Sequence, residues 1–195
     1  MHGLINRSIQ NYVCDTYGSE LWTGATLAAG LEFTDFEAML CYDDGLTPRV
    51  LDAVAQILGH GRDEVMEDIG TYLVSHPSTD AVRRLLRFGG VTFEEFLLSL
   101  GDLRDRARLA VAELDLPRID LVERSDGLFS LSCEAPITGF GNLLMGVMRG
   151  MADDYGALVM LEHLGTRGTR EEISITLISA EFAEGRRFDL GAGAR

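Results

Sequence analysis

The chain contains no stretch approaching the roughly 18–20 consecutive apolar residues that a membrane-spanning helix requires. Its opening, "MHGLINRSIQ", has neither the apolar core nor the small-residue cleavage site of a secretory leader. A cytoplasmic location is the expectation from these two absences. Cysteine is sparse: Cys14, Cys41 and Cys133 are scattered, and no Cys-x-x-Cys pair exists. A zinc knot or a redox pair is therefore not expected, and the thiols read as free and buried in a reducing compartment. Basic residues are outnumbered 17 to 31 by acidic ones, for a net charge of −14. Nucleic-acid binders gain affinity from cationic patches, so nucleic acid is excluded as an expected partner and an anionic membrane surface is disfavoured.

Catalytic signatures are missing as well. There is no Gly-x-Ser-x-Gly elbow, no phosphate-binding Gly-x-x-x-x-Gly-Lys loop and no dinucleotide-binding Gly-x-Gly-x-x-Gly after a strand. The four histidines, His2, His60, His76 and His163, share no close spacing, so a multi-histidine metal site has no support. Nothing in the pattern marks an enzyme.

What remains is a chain of 195 residues, 46% hydrophobic, which suffices for one domain with a substantial core. The spacing predicts helices over 3–17, 20–29, 48–58, 64–75 and 80–88, then a long helix over 93–114 opened by the capping box Thr92/Glu95. After Pro117 the period shifts to two. "IDLVER" and "GLFSLSCE" read as a hairpin across "SDG", and "ALVMLEHL" and "EISITLIS" as a second one. A glycine-rich helix lies between them. This layout is α+β with an antiparallel four-stranded sheet. The expected organisation is a single domain over 1–185, with a helical part over about 1–62, a sheet-containing part over about 63–185, and a tail from 186, ending in a loose "GAGAR".

The long helix carries an apolar stripe: Phe96, Leu100, Leu103, Ala107, Val111 and Leu114. Arg104 stands at its edge. Two roles are open to it. One is a solvated guanidinium paired to Asp102, Asp105 or the acidic neighbours of Arg108; the other is a side chain occupying a pocket or reaching an anionic ligand.

Several strings, in order and spacing, resemble the H-NOX family of haem-based nitric oxide and oxygen binding domains. They are "MHGLIN", "YGSELW", "YDD", "VLDAVAQILG", "LLRFGG" and "FEEFLLSLGDL", with Pro117 matching a proline that packs on the porphyrin. The likeness runs over roughly residues 1–180. It implies a haem cleft between the helical part and the sheet, and a sensor that acts on a partner. For a bacterial chain that partner would be a histidine kinase or a cyclic dinucleotide enzyme; in animals the family is fused to guanylate cyclase. The chain ends soon after its last strand, so output is expected from a separate protein.

The resemblance also marks departures. The family's iron-ligating histidine falls on Arg104, in "Leu100-Gly101-Asp102-Leu103-Arg104". The Tyr-x-Ser-x-Arg motif that holds the haem propionates falls on Leu131, Cys133 and Ala135, or with a one-residue shift on Pro136 for its arginine. Leu4, Leu73 and Leu144 fall on positions that line the cleft. Arginine offers no lone pair to iron, and the motif's charge-assisted fork is gone. The expectation is a signalling domain holding no haem in the family manner, with an apolar small molecule or nothing in its place. The alternative is haem bound through a replacement ligand, His76 first and Cys133 second.

Overall fold

A computed structural model describes residues 1–188. The N-terminal part is helical: α1 (Gly3–Tyr17), α2 (Ser19–Ala28), α3 (Leu46–Leu58), α4 (Arg62–Ser75) and α5 (Asp80–Arg87). Local chemistry sets their ends. His2 Nδ1 accepts the Leu4 N–H at the start of α1, at 3.2 Å. Gly59 stops α3 in the left-handed region, at φ 68°, which a side chain resists. Pro77 has no N–H to continue the ladder of α4, and a 3-10 turn follows over Pro77–Thr79.

The expected long helix is broken. It consists of α6 (Phe93–Leu98), a 3-10 turn (Ser99–Asp102) and α7 (Leu103–Ala110), and it ends four residues short, with Val111 extended at φ −139°. "Ser-Leu-Gly-Asp" is a run of weak helix formers around Leu100, and the tighter 3-10 geometry takes over there. The Thr92/Glu95 capping box is present. Phe96, Leu100, Ala107 and Leu114 are buried as the stripe predicts, while Leu103 and Val111 are half-buried.

The strands are β1 (Arg118–Ser125), β2 (Leu128–Glu134), β3 (Leu158–Arg167) and β4 (Arg170–Ser179), antiparallel in the order β1-β2-β4-β3. One face turns Ile119, Phe129, Leu131, Cys133, Ile173 and Ile175 into the core. Helix α8 (Phe140–Tyr155) covers it, bounded by Gly139 and Gly156 at positive φ. The cysteines correct one expectation: only Cys133 is buried, Cys14 is half-buried and Cys41 exposed.

The described residues form two apolar clusters. One is built by α1–α3 with Val65, Met66, Ile69 and Tyr72 of α4. The other joins Val74, α6, Leu100, the sheet and α8. Helix α4 serves both, and its contact with α8 is made at backbone distance. A Cβ on Gly70 would lie 2.0 Å from the Leu143 carbonyl oxygen, and one on Gly146 1.9 Å from that of Glu67. Only glycine permits that approach. Of the tail expected from residue 186, residues 186–188 are described and seated on the domain; "GAGAR" lies outside the described residues.

Candidate ligand-binding site

Arg104 sits in the first turn of α7, and its guanidinium points toward the loop that follows the helix. Nε and Nη2 both donate to Asp115 Oδ1, at 3.1 and 2.5 Å, and Arg108 Nη2 donates to the same oxygen at 2.9 Å. Its partner is thus neither Asp102 nor Asp105 but Asp115, the acidic neighbour of Arg108. The donated bond from Arg104, then its charge and that of Arg108, hold the Asp115 carboxyl below the usual carboxylate range. Arg104 is 37% exposed at its side chain and Asp115 68%. This fork, with Leu116, Pro117, Arg118, Glu134 and Pro136, lines an open depression of about 250 Å³.

Behind the depression lies packed core. Leu131 is 0% exposed, Cys133 1%, Leu144 2% and Ala135 5%. Leu131, Cys133 and Leu144 join Leu100 and Ile173 in one continuous apolar cluster. Burial pushes the Cys133 thiol up to about 12. No donor side chain stands at position 131 or 135; the Ala135 N–H is spent on the Thr169 carbonyl at 3.2 Å.

The other sequence candidates are not gathered here. Leu73, on α4, packs on the opposite cluster. Leu4 is half-buried on α1. His76 closes α4: its ring stacks on Tyr72 with centroids 4.8 Å apart, and its Nδ1 lies 2.7 Å from Ser78 Oγ and 3.6 Å from Asp15.

Sequence reasoning missed a buried carboxylate beside Cys133. Glu171, 2% exposed, accepts the N–H groups of Gly139 and Gly141 at the start of α8, at 3.0 and 3.2 Å, and pairs with His163 Nε2 at 3.0 Å. It satisfies orphan donors at a helix N-terminus, where negative charge is favoured. A signal for it existed. Glu171 and His163 fall on the inward parity of their strands, in step with Ile173 and Leu161. Asp115 gave no comparable signal, because its approach to Arg104 depends on the early end of α7 at Ala110, after which the chain turns back.

Helices packed at one end and on one face of an antiparallel β1-β2-β4-β3 sheet define an H-NOX-type fold. Solved structures match it closely. An H-NOX protein from S. oneidensis in the Fe(II) ligation state superimposes with a TM-score of 0.78 at 18% identity, covering 93% of this chain and 98% of that one. An oxygen-binding H-NOX domain related to soluble guanylate cyclases gives 0.68 at 15%, covering 96% and 100%. The chain belongs to the Haem-NO-binding family, whose model matches residues 2–163. It is 25% identical over 154 residues to soluble guanylate cyclase gcy-31 of Caenorhabditis elegans, covering 79% of this chain and 22% of that protein. Soluble guanylate cyclase 89Da of Drosophila melanogaster is 24% identical over 158 residues, covering 81% and 24%. The chain thus spans about a quarter of the length of these relatives.

Proposed function

We propose that this chain is a sensor-type signalling domain of the Haem-NO-binding family that does not hold haem in the family's way and acts by docking to a separate partner. The observation that carries the reading is the state of position 104. The residue there is an arginine, its guanidinium is committed to Asp115 at the surface, and arginine has no lone pair for iron. The residues around it do not fit the group either. Two propionates need donors, and Leu131 and Ala135 supply none; unpaired buried carboxylates are costly. Leu131, Cys133 and Leu144 are packed into the sheet-side core instead, and Leu73 lies against the other cluster. The depression is open and carries four charged side chains, Arg104, Asp115, Arg118 and Glu134, so its lining favours no ligand over an apolar small molecule. The partner class is supported by the relatives, soluble guanylate cyclases by name, and by the family's use of histidine kinases and cyclic dinucleotide enzymes.

Absorption spectroscopy of protein expressed with added haem precursor tests the reading. The wild type is expected to show little or no Soret absorbance. Arg104→His should restore weak binding at most, and the triple change Arg104→His, Leu131→Tyr, Ala135→Arg should restore more. A wild-type Soret band at one haem per chain, abolished by His76→Ala or Cys133→Ala, would replace this reading with a haem sensor using another ligand. Co-purification with a histidine kinase or a cyclic dinucleotide enzyme tests the partner, and its repeated absence from stabilised complexes counts against docking.

A further inference from the structure

The segment after β4 is bound by its backbone to the last turn of α8. The Phe182 and Ala183 N–H groups both donate to the Gly156 carbonyl, at 2.8 and 3.0 Å, and the Arg186 N–H donates to the Asp154 carbonyl at 2.9 Å. Two glycines make the approach possible. A Cβ on Gly156, at φ 77°, would lie 2.1 Å from the Ala183 carbonyl oxygen, and one on Gly185 2.8 Å from that of Asp154. A side-chain clasp closes over the same place. Asp154, 1% exposed, receives Arg83 Nε at 2.8 Å and stands 3.5 Å from Arg87 Nε and 4.0 Å from Arg186 Nε. Arg83 Nη2 donates to the Arg187 carbonyl at 3.3 Å. The Phe188 ring lies 5.6 Å from the Arg83 guanidinium and 5.1 Å from that of Arg87, within cation–π reach of both.

The members of this clasp are shared with the interior. The Arg87 guanidinium also lies 3.8 Å from the Tyr155 ring centroid. The Tyr155 hydroxyl donates to the Gly90 carbonyl at 2.8 Å, and its ring packs against Phe93 and Phe96 of α6. Helix α5, which carries Arg83 and Arg87, is tied to the next helical segment by Arg106. That guanidinium donates to the Leu85 carbonyl at 3.3 Å and to the Ser99 carbonyl at 3.0 Å. Helix α7, through Arg106, and the segment that leads out of the sheet therefore both hold α5, while Tyr155 joins α6 by its ring to that segment by its backbone, which lies against Gly185.

We propose that residues 180–188 form a strap whose seating is coupled to the packing of α6 and α7. A shift of α6 or α7 displaces Tyr155 and α5, spreads the arginines around Asp154 and releases the strap. The clasp favours two states over a continuum. Asp154 is buried, and a buried carboxylate that loses its guanidinium partners is strongly penalised unless it reaches water. The coupling does not depend on what binds beside Arg104.

Hydrogen exchange on the full chain tests it, read at the Phe182, Ala183 and Arg186 amides, with the β2 amides of Leu131 and Cys133 as a measure of global opening. In the wild type the three strap amides are expected to be protected. Tyr155→Phe, which removes only the hydroxyl that bonds Gly90, and Arg106→Gln, whose guanidinium bonds Leu85 and Ser99, alter no contact with the strap itself and should each speed their exchange about tenfold or more while the β2 amides hold. Coupling is reciprocal, so Phe188→Ala should speed exchange at Leu97 and Leu98 of α6. Unprotected strap amides in the wild type would overturn the proposal. So would strap protection unchanged in Tyr155→Phe, or a strap loosened by Phe188→Ala with α6 unaffected. If Arg106→Gln also frees the β2 amides, the Tyr155 and Phe188 variants decide.

Discussion

At the level of single residues, the departure at position 104 is readable and its consequence is not. The register that places Arg104 where an imidazole is expected comes from neighbouring strings. The partner, Asp115, is eleven positions away across a helix end that periodicity carries too far. The pair makes a pH prediction. Asp115 has a depressed folded-state pKa, so it adds stability above its unfolded value and loses that contribution as pH falls through the folded one. Solvent screens a side chain this exposed, so Asp115→Asn should cost only about 0.2–1 kcal/mol at neutral pH. The gap between wild type and variant in urea midpoints should close as pH drops below about 4; an equal gap at pH 7 and pH 3 would refute the assignment. Cysteine labelling gives a second check. At pH 8 a thiol reagent should modify exposed Cys41 first and leave Cys133 untouched until denaturant is added, because burial keeps the latter thiol protonated.

Among the elements, the sheet and its hairpins were the most legible part, since period two with "Ser-Asp-Gly" and "Gly-Thr-Arg-Gly-Thr" between the runs leaves little choice. The α4–α8 contact was illegible. Its glycines, read locally, only weaken a helix, and their purpose shows when a second helix lies on them. Gly70→Ala and Gly146→Ala should therefore destabilise by about 1–3 kcal/mol or more, the range for overpacked sites. Gly24→Ala is the contrast. Its Cβ would meet only Ile57 Cδ1, at 3.8 Å, in an exposed stretch of α2, so a gain of up to about 1 kcal/mol from helix propensity is expected. Thermal or urea denaturation of the three variants separates the signs, and equal effects would sink the argument. Leu100→Ala, in the 3-10 turn at 1% exposure, should cost about 2–5 kcal/mol as a cavity in the sheet-side cluster.

For the molecule as a whole, charge and the paired clusters set the behaviour. A net charge of −14 opposes compaction, and mobile ions screen it. The denaturation midpoint should rise between about 10 and 150 mM salt; a fall would mean that the arginine ion pairs outweigh the repulsion. All 17 basic residues are arginine. The clasp, the Arg106 tie and the Arg104 fork thus all use planar groups that keep their charge when desolvated. The seam where Gly70 meets Leu143 and Gly146 meets Glu67 constrains how the helical part and the sheet part can move against each other. With main chain lodged against main chain, sliding along the seam would drive carbonyl groups into neighbouring helix turns, so shear is blocked. Helices α4 and α8 thus act as a keyed pair: each glycine fixes the axial position of the helix laid against it, and a shift of one turn would put a side chain where main chain now lies.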